Sequence, residues 1–376
     1  MPTNTAARIG ARHAQLDVAP APYPAPAADQ IVVRNHALAI NPLDWIVQVA
    51  GSVVYRWLTY PAVLGSDLAG EVVEVGAAVT RFAVGDRVLA HAVGTDKDSN
   101  SPAEGAFQQY TVVLERMASP IPPALSYTDA CVLPLAMSTA ACALFQEDQL
   151  ALQLPSATAA PTGQTLLVWG ASTSVGANAV QLAVAAGYDV IATASPRNVD
   201  YVTSLGATQV FDYASPTVVA DLRAAFTGRT LAGAIAIGTG SAEGCVDVVT
   251  GCTGRRFVAI ASTAVSFAGL GDPNRSRFEL PRLLARLVSA TAALQLRSRT
   301  RGVTTRFVVG TTLKTNEVST AIYRDFLPTA LAEGRYRAVP PATVVGHDLA
   351  DLQHALDVQR RGVSAQKVVV TLPGPS

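Results

Sequence analysis

A chain of 376 residues exceeds one comfortable hydrophobic core, so two domains are expected, and 49% hydrophobic against 15% charged residues is a globular composition. With 28 Lys plus Arg balancing 28 Asp plus Glu, the formal net charge is +0, which argues against nucleic acid or an anionic membrane as an obligate partner. Cys131, Cys142, Cys245 and Cys252 form no CxxC pair, so they specify neither a disulfide framework nor a structural zinc cage.

The start, MPTNTAARIGARHAQ, lacks the apolar run of a secretory leader. Gln30 to Pro42 (QIVVRNHALAINP) is an extended run ended by Asn41-Pro42. Gly65 to Gly76 and Arg81 to His91 alternate apolar and polar residues around glycine turns. Many short strands of this kind predict a barrel-like β domain. Asp96 to Gly105 is polar and turn-rich and reads as a surface loop, and Trp45 to Thr59 reads as a loop as well. Near Ser126 the texture changes to an alanine-rich stretch that reads as a buried helix. Its most apolar part, Ala130 to Phe145, is shorter than the roughly 20 residues of a bilayer span, and Pro134 interrupts it.

Pro155 to Gly163 reads as a loop, after which strands and helices alternate. QTLLVWG, a helix, DVIATAS, a helix near 198–205, TQVFDY, the helical TVVADLRAAF, LAGAIAIG, a short helix and RRFVAIA follow one another. That alternation predicts a parallel sheet wound with helices. Ala264 to Arg286 reads as a variable loop. After Arg306 come FVVG, a helix at 319–333, TVVG, the helix HDLADLQHALDVQRR and a last strand KVVVTL, with a disordered PGPS tail. The expected class is soluble and cytoplasmic.

The most informative stretch is WGASTSVGANAVQLAVAAGYDVIATASPRN, from Trp169 to Asn198. A strand, a small-residue turn and a helix start are the setting of a dinucleotide pyrophosphate, because bare backbone can approach the phosphates and helix N–H groups face the anion. The turn is Gly170-Ala171-Ser172-Thr173-Ser174-Val175-Gly176, in which hydroxyls replace the middle glycine of GxGxxG. By itself it fits an unliganded tight turn as well. An NAD site places a carboxylate at the end of the second strand for the ribose 2′-OH. This chain offers Thr193, Ala194, Ser195 and Arg197 there, with no carboxylate before Asp200, and a guanidinium with a hydroxyl suits a 2′-phosphate. The cofactor expectation is NADPH, the alternative being that Arg197 is a solvated helix-start residue.

These motifs resemble the medium-chain dehydrogenase/reductase superfamily along essentially the whole chain. Asn41-Pro42-Leu43-Asp44, Leu64-Gly65-Ser66-Asp67-Leu68-Ala69-Gly70, Val84-Gly85-Asp86-Arg87-Val88, Gly105-Ala106-Phe107 and Ser364-Ala365-Gln366-Lys367-Val368 are similar to its landmarks. The resemblance implies an α/β protein: a GroES-like β-barrel catalytic domain (1–128 and 307–376) with a Rossmann doubly wound parallel-sheet domain (129–306) inserted. Departures from its zinc alcohol dehydrogenases are plain. The glycine-His-Glu signature is here Gly65-Ser66-Asp67, and the loop at 96–105 has no cysteine, so no metal is expected. Within the zinc-free branch the chain resembles quinone-oxidoreductase-like enzymes and trans-acting enoyl reductases.

That resemblance implies roles. Gly170 to Gly176 would hold the pyrophosphate, and Ser195, Arg197 and Tyr213 the 2′-phosphate. Gly238, Thr239, Ala261 and Thr139 would lie along the ribose and nicotinamide, with the backbone of Phe307 to Val309 facing the carboxamide and Lys367 in the cofactor set. Tyr213 also fits a sheet-edge role, and Thr139 a helix-core polar position. Reduction of an activated C=C asks less of a zinc-free site than carbonyl reduction, since the enolate needs only hydrogen-bond donors and a proton. Asn41 and Tyr55 are the side-chain candidates; Asn41 equally fits a purely structural place before Pro42. The expected substrate is a small unsaturated carbonyl compound, free or carrier-bound, and the expected state a monomer or homodimer. An NADPH:quinone reductase and a cofactor-binding structural or regulatory protein are the alternatives.

Overall fold

The computed structural model describes residues 3–268, 270 and 279–373. Parts of the expected loop at 264–286 and of the PGPS tail therefore lie outside the described residues. The chain divides into two compact units, Met1–Leu135 with Ala268–Asp272 and Lys314–Ser376, and Ala136–Phe267 with Pro273–Leu313.

The first unit begins with β1 (Asn4–Ile9), β2 (Leu16–Ala21) and β3 (Gln30–Ala39); in β3 the consecutive Ile31, Val32 and Val33 are all buried, so both of its faces are covered. Helix α1 (Pro42–Val54) comes next. It corrects the loop expected at 45–59, because its signal sits at the cap rather than in the run. Pro42 is pre-set for a first helical turn, and the Asp44 carboxylate accepts the Asn41 backbone N–H at 2.7 Å. Then follow β4 (Ala62–Val63), β5 (Asp67–Val75), β6 (Arg87–His91), β7 (Tyr110–Leu114) and β8 (Ala118–Pro120). The turn expected at Gly85-Asp86 lies at Val84-Gly85, with Gly85 at φ 97°. The apolar stretch forms α2 (Tyr127–Ala130) and α3 (Pro134–Phe145), parted where Pro134 cannot donate. Of its most apolar window 83% is buried, so the protein's own core answers its hydropathy. The units part inside α3, at Leu135.

The second unit winds β9 (Gln164–Trp169), α4 (Ser174–Ala185), β10 (Asp189–Ala194), α5 (Val199–Ser204), β11 (Gln209–Asp212), α6 (Val218–Ala225), β12 (Thr230–Ala236), α7 (Ser241–Thr250) and β13 (Phe257–Ile260). Helix α8 (Glu279–Thr300) and β14 (Thr304–Phe307) complete it. The sheet order is β11-β10-β9-β12-β13-β14, all parallel. Leu167, Ile191, Leu222, Val246 and Val258 form its core. Two expectations are corrected here. α8 occupies the end of the expected 264–286 loop: Pro281 falls in the first turn, where a missing N–H is harmless, and Leu294 and Ser298 are its buried positions. The last strand is Thr304–Phe307 rather than FVVG, because pairing of Phe257 with Thr304 through Ile260 with Phe307 sets an edge register that the apolar run does not follow.

The chain returns to the first unit through α9 (Glu317–Ser319), a π-helical stretch Thr320–Phe326 and α10 (Leu327–Ala332), in place of one regular helix at 319–333. Pro328 cannot donate backwards, and the wide turn before it accommodates the lost bond. Then come β15 (Ala342–Gly346), α11 (Leu352–Arg361) and β16 (Lys367–Thr371). β16 pairs with β3, giving the order β15-β16-β3-β5-β6-β8, and β7 also pairs with β3.

Candidate functional site

In the parallel sheet, β10 and β11 lie to one side of β9 and β12 to β14 to the other, so the strand order reverses between β9 and β12. Open α/β sheets bind ligands at the carboxyl ends of the strands at such a reversal. Gly170 follows β9 with φ 87°, and a Cβ there would lie 2.5 Å from Ile237 O, across the reversal. Thr173 caps α4: its Oγ1 accepts the Gly176 N–H at 3.1 Å and donates to Gly170 O at 2.8 Å. A Cβ on Gly176 would sit 2.3 Å from Gly170 O, so helix and strand are in direct backbone contact. Ala171 is buried, whereas Ser172, Thr173, Ser174 and Val175 keep some exposure at the head of a 12-residue helix. Backbone bared of side chains, beside a helix start, fits a pyrophosphate. Thr193, at the end of β10, steadies the turn by accepting the Gly170 N–H at 3.1 Å.

The next strands bring further expected residues to the same sheet end. β10 runs out into half-buried Ser195 and exposed Arg197. On β11, Asp212 is paired with Ala194, and the following Tyr213, 50% exposed, donates its N–H to Ala194 O at 3.4 Å. Ser195, Arg197 and Tyr213 thus gather at one corner. Beyond β12 and β13, the Gly238 N–H donates to Ser262 Oγ at 2.8 Å and the Ala261 N–H to Ala236 O at 2.9 Å, with exposed Thr239 between them in sequence. Phe307 ends β14 and Val309 lies two residues beyond it, 53% and 51% exposed. Their carbonyls are taken, Phe307 O by Gln149 Nε2 at 3.2 Å and Val309 O by Thr312 Oγ1 at 2.8 Å. Thr139 packs on Gly310, where a Cβ would meet Thr139 Oγ1 at 2.3 Å. The ends of all six strands therefore collect every residue named for the cofactor except Lys367.

Lys367 belongs to the first unit and is 2% exposed. Its Nζ donates to Asn41 Oδ1 at 2.5 Å and pairs with Asp67 Oδ2 at 2.9 Å. Asn41 Nδ2 donates to the same Asp67 oxygen at 2.9 Å, and Leu135 N–H takes Asp67 Oδ1 at 2.6 Å. The carboxylate at the Gly65-Ser66-Asp67 landmark is thus saturated from three directions. Burial pushes the Asp44 carboxyl up to about 7, against the Asn41 N–H that holds it. Burial pushes the neighbouring His91 imidazole down to about 4, so it stays neutral. Tyr55 caps the far end of α1, its ring 4.9 Å from Trp57. Burial, aided by the Asp44 charge, raises its hydroxyl to about 12 and keeps it a proton-bearing donor. Among the described residues no three His, Cys, Asp or Glu side chains gather as a metal site requires.

Residues 27–123 match the alcohol dehydrogenase GroES-like domain family. The chain is 49% identical to the dehydrogenase pigH of Monascus ruber over 99% of its own length and 100% of that protein. The chain belongs to the medium-chain dehydrogenase/reductase superfamily. Within that superfamily it falls in the enoyl-reductase-like branch: it is 36% identical to the trans-enoyl reductase himH of Aspergillus japonicus, over 96% of this chain and 95% of that one. An alcohol dehydrogenase superfamily protein from Novosphingobium aromaticivorans superposes with a TM-score of 0.73 at 25% identity, covering 99% and 100% of the two chains. Members of the medium-chain dehydrogenase/reductase superfamily use a nicotinamide nucleotide, and the bared turn and strand ends of the second unit fit one.

Proposed function

We propose that this protein is an NADPH-dependent, zinc-independent reductase of activated C=C bonds in enones, enals or enoyl thioesters. The observation that carries this reading is the saturated Asp67. At the landmark where zinc enzymes of the family have ligands, the carboxylate is spent on Lys367, Asn41 and the Leu135 N–H. Carbonyl reduction concentrates charge on one oxygen, whereas conjugate reduction spreads it over an enolate that ordinary donors can hold. The likeness to a trans-enoyl reductase over nearly the whole chain supports the same choice.

Bound NADPH would supply the hydride. The chain's own part is to hold the nucleotide at the β9–α4 turn, to read its 2′-phosphate with Ser195 and Arg197, and to offer donors to the enolate oxygen. Tyr55 is suited to donate because its hydroxyl stays protonated. Asn41 has one Nδ2 hydrogen on Asp67 and a second still to give. The proton on the α-carbon comes from Tyr55 or from water.

Arg197 is exposed, with no carboxylate in ion-pair range among the described residues. Loss of its charge-assisted contact should weaken NADPH by about 1.5–3 kcal/mol. Arg197→Ala should therefore raise the NADPH dissociation constant and leave that of NADH nearly unchanged; equal weakening of both rejects the assignment. The reaction is tested with 4-deuterated NADPH and an enone, an enoyl thioester, an aldehyde and a quinone, with and without EDTA. Deuterium should appear on the β-carbon, and chelation should not slow it. Label on a carbinol carbon, or turnover of quinones alone, overturns the reading.

A further inference from the structure

We propose that Asn198 is a positioning residue that turns Ser195 into an outward hydrogen-bond donor and thereby sets discrimination between NADPH and NADH. The inference rests on the NADPH reading of the Ser195–Arg197 corner. Asn198 is 9% exposed and buried, whereas Ser195 is only half-buried. Asn198 Nδ2 donates to Ser195 Oγ at 3.1 Å. The Asn198 N–H also donates to Ser195 O at 2.9 Å, closing a turn over Pro196 and Arg197, so the two side chains are held in register.

The consequence follows from the donor inventory. An amide nitrogen carries hydrogens and no lone pair, so toward Asn198 the serine oxygen can only accept. Its single hydroxyl hydrogen is then left for the solvent side. A 2′-phosphate is acceptor-only, so a hydroxyl serves it only as a donor. A carboxylate at position 198 would take that hydrogen inward and add negative charge behind the phosphate. NADH, without the phosphate, gains nothing from the orientation.

The test is equilibrium titration of NADPH and NADH with the full-length chain, which reads affinity without turnover. Asn198→Asp should raise the NADPH dissociation constant by about tenfold or more and move that of NADH by less than about twofold. Asn198→Ala should weaken NADPH by about fivefold. In a Ser195→Ala background, Asn198→Ala should cost nothing further, because there is no hydroxyl left to orient. A loss that persists in that background, or one shared equally by NADH, overturns the inference. If Asn198→Asp does not fold, the alanine cycle decides alone. A wild-type chain that prefers NADH refutes the NADPH reading itself. A wild-type chain that prefers NADPH but is indifferent to residue 198 refutes only the role of Asn198.

Discussion

Lys367→Met should be among the most destabilising single substitutions in the barrel unit, costing about 3–5 kcal/mol, because it strands a buried carboxylate without its counter-charge. Asp67 is 0% exposed and Lys367 2% exposed, so water cannot replace the lost partner. The remaining donors to Asp67, Asn41 Nδ2 and the Leu135 N–H, are neutral, and Asn41 Oδ1 loses its own donor as well. Chemical denaturation followed by tryptophan fluorescence reads the loss. The double variant Lys367→Met with Asp67→Leu should recover more than half of it, since a buried ion pair replaced whole by apolar groups is often neutral. A double variant no more stable than the single would mean that the ion pair is not the cause.

The second large effect is expected at Gly176→Ala. The added methyl would lie 2.3 Å from Gly170 O and 2.7 Å from the Ala171 Cα, both backbone atoms that no rotamer change can move. Helix α4 must then back away from β9, and the Thr173 cap on the Gly176 N–H is strained with it. Overpacking of this kind costs about 1–3 kcal/mol in stability. Because the displaced atoms belong to the turn that meets the pyrophosphate, NADPH and NADH should both weaken, by about tenfold to a hundredfold. That shared loss is the opposite signature to Arg197→Ala. Cofactor affinities within about twofold of wild type would show that the turn does not carry the dinucleotide.

The cofactor half of the protein is far more legible in the sequence than the barrel half. Gly170, Ala171 and Gly176 lie within one strand–turn–helix, so local spacing alone indicates which backbone is bared, and each later strand end adds its residues in order. The barrel cluster is unreadable by that route, because Asn41 and Lys367 stand 326 positions apart and only strand pairing brings them together. Lys367 reads as a cofactor residue in sequence and is an internal counter-ion in the fold. Helix α1 escapes notice because WIVQVAGSVV is rich in β-branched residues. What decides it is the cap made by Asp44 and the burial of Trp45, Val47 and Ala50. Asn198 looks like an ordinary helix-start residue until its amide is seen on Ser195.

The pairing of β16 with β3 also imposes an order on assembly. β3, β5 and β7 can pair among residues 30–114, but the partner of Ala39 is Val369. Closing the unstructured loop between Asn41 and Lys367, 326 positions apart beside that pairing, would cost about 5 kcal/mol of chain entropy. A parallel-sheet unit folded beforehand shortens that loop, so the inserted unit acts as a tether for the barrel strand that follows it. During synthesis, Asp67 cannot meet its counter-charge until Lys367, 300 positions later in the chain, has been made.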